Sequence, residues 1–122
     1  MVTISIVLTV FVAIEHCYIL WMEMFAWETA GKRVFSTSLP QELFKPTKGL
    51  AANQGLYNGF LVAGLVWSFF IDDAEWAINI RLFFLGCVAV AGIFGALTAS
   101  KKIFFMQAMP ALLAMLFVWL TK

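Results

Sequence analysis

Four apolar stretches, residues 2–27, 50–71, 76–99 and 103–120, take up most of this chain, and each is long enough to cross a hydrocarbon core of about 30 Å. Lipid offers no partner to backbone N–H and C=O groups, so such stretches read as helices. Asp72-Asp73-Ala74-Glu75 and Ser100-Lys101-Lys102 are short enough to be tight antiparallel turns. The one long connection, 28–49, is punctuated as loop by Gly31, Pro40 and Pro46. The expected fold is therefore all-α, an integral membrane four-helix up-down bundle formed by one domain over residues 1–122. Composition agrees, because 63% hydrophobic and 12% charged residues lie outside the range of soluble domains.

A formal charge of +1 with no phosphate-neutralising basic cluster leaves no case for nucleic-acid binding. Cys17 and Cys87 lie inside apolar runs, so they read as small packing residues rather than a disulfide or redox pair. The apolar run 2–11 lacks a basic leader, and Glu15, His16 and Glu23 interrupt its continuation; it reads as a retained helix, not a signal peptide. Basic residues near span ends stay cytoplasmic, which assigns Lys32, Arg33, Lys45, Lys48, Lys101 and Lys102 to that side. Both termini and the 72–75 turn then face away from the cytoplasm, and the membrane expected is a bacterial inner membrane. Trp21 and Trp27 suit the inner interfacial belt, Trp67, Trp76 and Trp119 the outer one. Arg81 is expected to snorkel toward the acidic 72–75 turn.

The second stretch is opened by Lys48 and then by Asn53, Gln54, Tyr57 and Asn58. With a helical advance of about 100° per residue and Asn53 at zero, Tyr57, Gln54 and Asn58 fall near 40°, 100° and 140°. Gly55, Gly59 and Ala63 fall near 200°, 240° and 280°, a small-residue ladder that admits another helix backbone. In the first stretch Glu15, His16 and Glu23 form one stripe; ionisable groups there cost at least a few kcal/mol and rarely face lipid. Antiparallel packing sets Glu23 level with Asn53 and His16, about 10 Å deeper, near Asn58. Gln107 falls in the same layer. One polar cluster is thus expected in the cytoplasmic half, with the arc of the second helix facing the first and its glycine ladder receiving another helix, of this chain or of a second subunit.

A metal centre is not expected, since the chain has one histidine and no paired ligand spacing. A nucleophilic triad is not expected either: His16 adjoins Cys17, which points elsewhere on the helix. In the third stretch Cys87, Ala91, Gly95 and Ala99, beside Val88, Gly92 and Ala96, read as close-packing ladders that also fit self-association. Pro110 removes a backbone hydrogen bond near Gln107 and suggests a kink.

Glu15-His16, Leu20-Trp21-Met22-Glu23-Met24-Phe25, Ala51-Ala52-Asn53-Gln54-Gly55-Leu56-Tyr57-Asn58-Gly59-Phe60 and Phe84-Leu85-Gly86-Cys87-Val88-Ala89-Val90-Ala91-Gly92 together resemble a family of small bacterial and fungal four-helix membrane proteins, a family classed as of unknown function. Lys48 with Ala52-Asn53-Gln54 and the run 60–67, and Arg81-Leu82-Phe83-Phe84-Leu85-Gly86-Cys87, are more distantly similar to motifs of the membrane-associated proteins in eicosanoid and glutathione metabolism (MAPEG). That second resemblance implies a homo-oligomer, a trimer, with glutathione or lipid bound between subunits, and transferase or isomerase chemistry if the chain is an enzyme. Lys48, Gly55, Asn58, Phe83 and Cys87 replace residues of those motifs, which counts against glutathione.

The resulting expectation is a pocket for a small amphipathic or lipid-like molecule, with no cofactor. Glu15 and His16 would be the acid/base pair and Glu23, Lys48, Asn53, Gln54, Tyr57, Asn58 and Gln107 the binding residues. The alternatives are a proton-coupled exporter using Glu15 and a structural or accessory membrane subunit.

Overall fold

The structure, a computed structural model, describes residues 1–122 and contains helices and no strands. Four long helices account for it: α1 (Val2–Phe25), α2 (Lys48–Ser68), α3 (Ala74–Thr98) and α4 (Lys101–Leu120). Three of them, α1, α3 and α4, are long and apolar enough to cross a membrane. α2 has the length, but Lys48, Asn53, Gln54, Tyr57 and Asn58 dilute its apolar character.

The helix ends differ from the sequence expectation by a few residues, each with a local cause. α1 stops at Phe25 because the chain widens into a π-helical turn at Trp27–Gly31. α3 starts at Ala74, where the Asp73 carboxylate accepts from Trp76 N–H at 3.0 Å, a side-chain cap of orphan first-turn donors. The Ser100 hydroxyl does the same for Lys102 N–H at 3.3 Å and opens α4. α2 runs from Lys48 to Ser68, two residues earlier at its start and three at its end.

α1 packs on α2 and α4, and α3 packs on the same two, so the helices form a ring. The shared core is small in side-chain volume: Val12 of α1, Leu65 of α2, Leu85 and Val88 of α3, and Ala111, Ala114 and Val118 of α4. Large apolar side chains point outward instead, with Leu97 81% and Phe70 78% exposed. Such an inside-out distribution suits a lipid surround, where helices associate by close packing rather than by removing apolar surface from water. At Gly92 a Cβ would stand 2.5 Å from the Ala108 backbone nitrogen, so α3 and α4 touch backbone to backbone. Gly64 makes the equivalent room for the Phe84 ring between α2 and α3.

The long connection is an ordered cap. The Trp27 indole donates to the Thr47 hydroxyl at 3.0 Å, and its ring stands 5.7 Å from Phe35 and 5.0 Å from the fully buried Phe44. Trp27 is therefore a packing residue of the cap. Trp21, Trp67, Trp76 and Trp119 are exposed. Lys102 ties the α3–α4 turn to the cap by donating to the Val34 carbonyl at 3.2 Å.

At the opposite end Arg81 does not reach for the acidic turn. It donates through Nε to the Ser68 hydroxyl at 3.0 Å and through Nη2 to the Ser68 carbonyl at 3.3 Å, with its guanidinium 4.1 Å from the Phe69 ring centre. The C-terminus of α2, with its unsatisfied carbonyls and negative dipole end, outcompetes solvated carboxylates. Cys17 is exposed on the outer face of α1, contrary to a packing role, and Cys87 is half-buried; both are free thiols.

Gly92→Ala is expected to lower stability by about 1–3 kcal/mol, since the obstructing atoms are backbone and cannot rotate aside. Gly49, with open space around it in the first turn of α2, is the control: Gly49→Ala should be neutral or stabilising by up to about 1 kcal/mol. Thermal unfolding of the detergent-solubilised protein, followed by circular dichroism, checks both.

Candidate functional site

The inward stripe of α1 is polar for much of its length: Ser5, Thr9, His16 and Glu23 are all buried. Three of these satisfy themselves on the preceding turn. The Ser5 hydroxyl donates to Val2 O at 2.7 Å, Thr9 to Ser5 O at 2.7 Å, and His16 Nδ1 lies 2.9 Å from Val12 O. Glu23, 3% exposed, has no such option because a carboxylate accepts and backbone carbonyls do not donate. Its partners come from α2, where Gln54 Nε2 donates to Oε2 at 2.9 Å and Asn58 Nδ2 donates to Oε1 at 2.6 Å.

Gly55 makes that reach possible. A Cβ there would stand 2.6 Å from Met24 Cγ, 3.1 Å from Glu23 Cβ and 3.2 Å from the Leu20 carbonyl; at Gly59 it would stand 2.9 Å from Leu20 Cδ1. The glycine ladder therefore receives α1 of the same chain, not another helix, and Ala63 is exposed. With α1 lying over the glycines near 200–240°, Gln54 and Asn58 at about 100° and 140° flank the contact and reach across it, while Asn53 and Tyr57 at about 0° and 40° are turned away. The polar arc thus divides. Asn53 is exposed and makes no contact with Glu23.

Between the cap and the four helices lies a cleft of about 750 Å³, with Glu23, Gln54 and Asn58 in its wall. Tyr57 also lines it, though 57% exposed, with its ring tilted against Phe60 at 5.8 Å. Gln107 reaches it from α4, on a π-helical turn, Phe104–Ala108, that immediately precedes Pro110. Proline has no N–H to give its fourth preceding carbonyl and its ring crowds that group, so the helix widens locally there. From α3 the cleft is lined by Cys87, Ala91, Gly95 and Ala99. That small-residue ladder, expected to pack a helix, here makes room for the cavity. The neighbouring ladder through Val88 and Gly92 does the packing.

Several expected site residues stand outside the cleft. Level matching explains His16: Glu23 meets Asn58 rather than Asn53, so His16, about 10 Å further along α1, lies beyond the polar part of α2. Glu15 does not line the cleft, and its Oε1 is buried without a hydrogen-bond partner. Lys48 sits at the surface, 3.9 Å from Glu28. Glu15 and His16 thus lie apart from Glu23, Gln54, Asn58 and Gln107. No three His, Cys, Asp or Glu side chains converge as metal ligands would.

Phe35, Ser38 and Leu39 of the cap, with Trp27, complete the cleft and were not anticipated from the sequence. The only available signal was the pairing of aromatics with Gly31 and Pro40 in a connection longer than a bare link requires. A Cβ on Gly31 would stand 2.8 Å from the Trp27 ring.

No solved structure matches the chain. Residues 10–119 match the family described as "Protein of unknown function (DUF1304)". The chain is also 34% identical over 117 residues to the "Uncharacterized protein YpaA" of Lactococcus lactis subsp. lactis (strain IL1403), an alignment that covers 95% of this chain and 97% of that protein. A match over nearly the whole sequence, supported by a full-length relative, means that this chain belongs to the DUF1304 family.

Proposed function

We propose that the protein is a four-span membrane bundle whose cleft, in the cytoplasmic half, binds a small amphipathic molecule. One observation carries this reading: a buried carboxylate held by two carboxamides in the wall of an otherwise mainly apolar cavity. Sites for small molecules combine apolar lining with a few fixed polar groups in this way, and about 750 Å³ is within their usual size range. Gln107 and Tyr57 supply further polar contacts, and the cap closes the cleft from the loop side. The basic residues of the cap and the α3–α4 turn support the cytoplasmic assignment of that end, with both termini on the other side.

A homo-oligomer accompanies this reading. Asn53 is exposed on α2 outside the cleft, where a lipid surround would offer its amide no partner. A second copy would supply one, and the distant MAPEG similarity favours a trimer. The buried, partnerless Glu15 oxygen supports a second reading, a proton-coupled exporter with Glu15 as the carrier.

Topology is checked by single cysteines in a background lacking Cys17 and Cys87. A cysteine replacing Asp72 should be labelled by an impermeant maleimide applied to the periplasmic side, and one replacing Ser38 only after the membrane is opened. Native mass spectrometry of gently extracted protein should show an oligomer retaining a small molecule. Ala91→Trp, which fills the cleft from α3, should abolish that adduct with the subunit number unchanged. A chain isolated without any bound molecule, or an adduct indifferent to Ala91→Trp, would overturn the pocket.

A further inference from the structure

The sign of charge that the cleft presents follows from its lining. Glu23 is its single carboxylate, and no lysine, arginine or histidine lines it. None of the six basic residues of this end lines it: Lys48 faces Glu28, Lys102 donates to the Val34 carbonyl, Arg33, Lys45 and Lys101 are exposed, and Lys32 is half-buried in the cap. Glu23 has hydrogen bonds but no counter-ion. A buried carboxylate in that condition is incompletely compensated, because two neutral amides do not cancel a formal charge at low dielectric.

The amides extend the same polarity into the cleft. A carboxylate only accepts, so Gln54 and Asn58 must both present their NH₂ groups to it at 2.9 and 2.6 Å. Their carbonyl oxygens are then left without partners in the protein. The polar end of the cavity therefore offers acceptors, backed by negative charge. Trp27, Phe35, Tyr57 and Phe94 line the same cavity, and aromatic faces attract cations.

We propose that the occupant is an amphipathic cation, an alkyl or aryl ammonium. Its N–H groups donate to the Gln54 and Asn58 carbonyls, its charge faces Glu23, and its tail lies along Leu50, Leu61 and Ile103. The proposal rests on the pocket reading above and adds the charge class of its ligand. The outer lysines do not reverse the field: Lys48 is six residues, about 9 Å along α2, from Gln54 and lies at the surface, where salt screens it.

The test uses the full chain in zwitterionic nanodiscs with Trp27 as its single tryptophan, obtained through Trp21→Phe, Trp67→Phe, Trp76→Phe and Trp119→Phe at four exposed positions. Trp27 emission is followed while decylammonium, decanol or decanoate is titrated at matched membrane loading. The expected result is saturation by decylammonium at a concentration about tenfold or more below the other two, a difference of at least about 1.4 kcal/mol. Glu23→Gln should remove the preference. Equal or tighter saturation by decanol or decanoate overturns the cation while leaving a pocket. No saturable change with any probe overturns both. If Glu23→Gln does not fold, the ranking of the three probes on the chain with Glu23 intact still decides.

Discussion

A buried carboxylate must find hydrogen-bond donors within the protein, so where Glu23 finds them decides how α1 and α2 meet. The donors are two carboxamides one turn apart on α2, and they reach only if the helix axes come close. Gly55 and Gly59 provide that closeness; a side chain at Gly55 would push α2 off Met24 and Glu23 together. Hydrogen bonds to a charged group contribute about 1.5–3 kcal/mol each, while a stranded buried charge costs several. The α1–α2 contact is thus held by polar necessity on one side of the glycines and by van der Waals packing on them. The cleft inherits its polar wall from this contact.

The remaining helices follow from the same economy of volume. α4 presents Ala108, Ala111 and Ala114 inward, so α3 can lie against it through Gly92. α3 then has a second small face, which α4 meets at Gly95 through Ile103 and which elsewhere lines the cleft. A π turn amounts to one extra residue in an α-helix, so the segment ahead of it is rotated by about 100° relative to a regular continuation. That rotation belongs to the same stretch that carries Gln107 into the cleft and Lys102 to the Val34 carbonyl.

Much of this was legible in the sequence, at the level where length and polarity decide. The helical class, the short turns at 72–75 and 100–102, and the gathering of Glu23 with polar residues of α2 follow from span length, turn chemistry and the cost of burying polar groups. The angular positions were legible too, but not which angle the neighbour would occupy. Helical geometry sets Asn53 and Asn58 about 140° apart, yet only the packing of Leu20 and Met24 on the glycines tells which one turns outward. Depth failed by one turn: Glu23 bonds Gln54 and Asn58, and this displaced His16 and Glu15 from the cluster. The fold of the 28–49 connection was not legible at all, because Trp27, Phe35 and Phe44 meet through contacts that no periodicity announces.

The self-sufficiency of Ser5, Thr9 and His16 bears on how the protein is made. Each bonds to its own helix about one turn back, so these three groups need nothing from the rest of the chain. Glu23 is different, since its donors lie 31 and 35 residues downstream. Nothing in α1 can donate to its carboxylate, so its bonding is complete only when α2 is docked. The Glu23–Gln54–Asn58 contact is in this sense a late latch on an early helix, closing only when the two have been laid side by side.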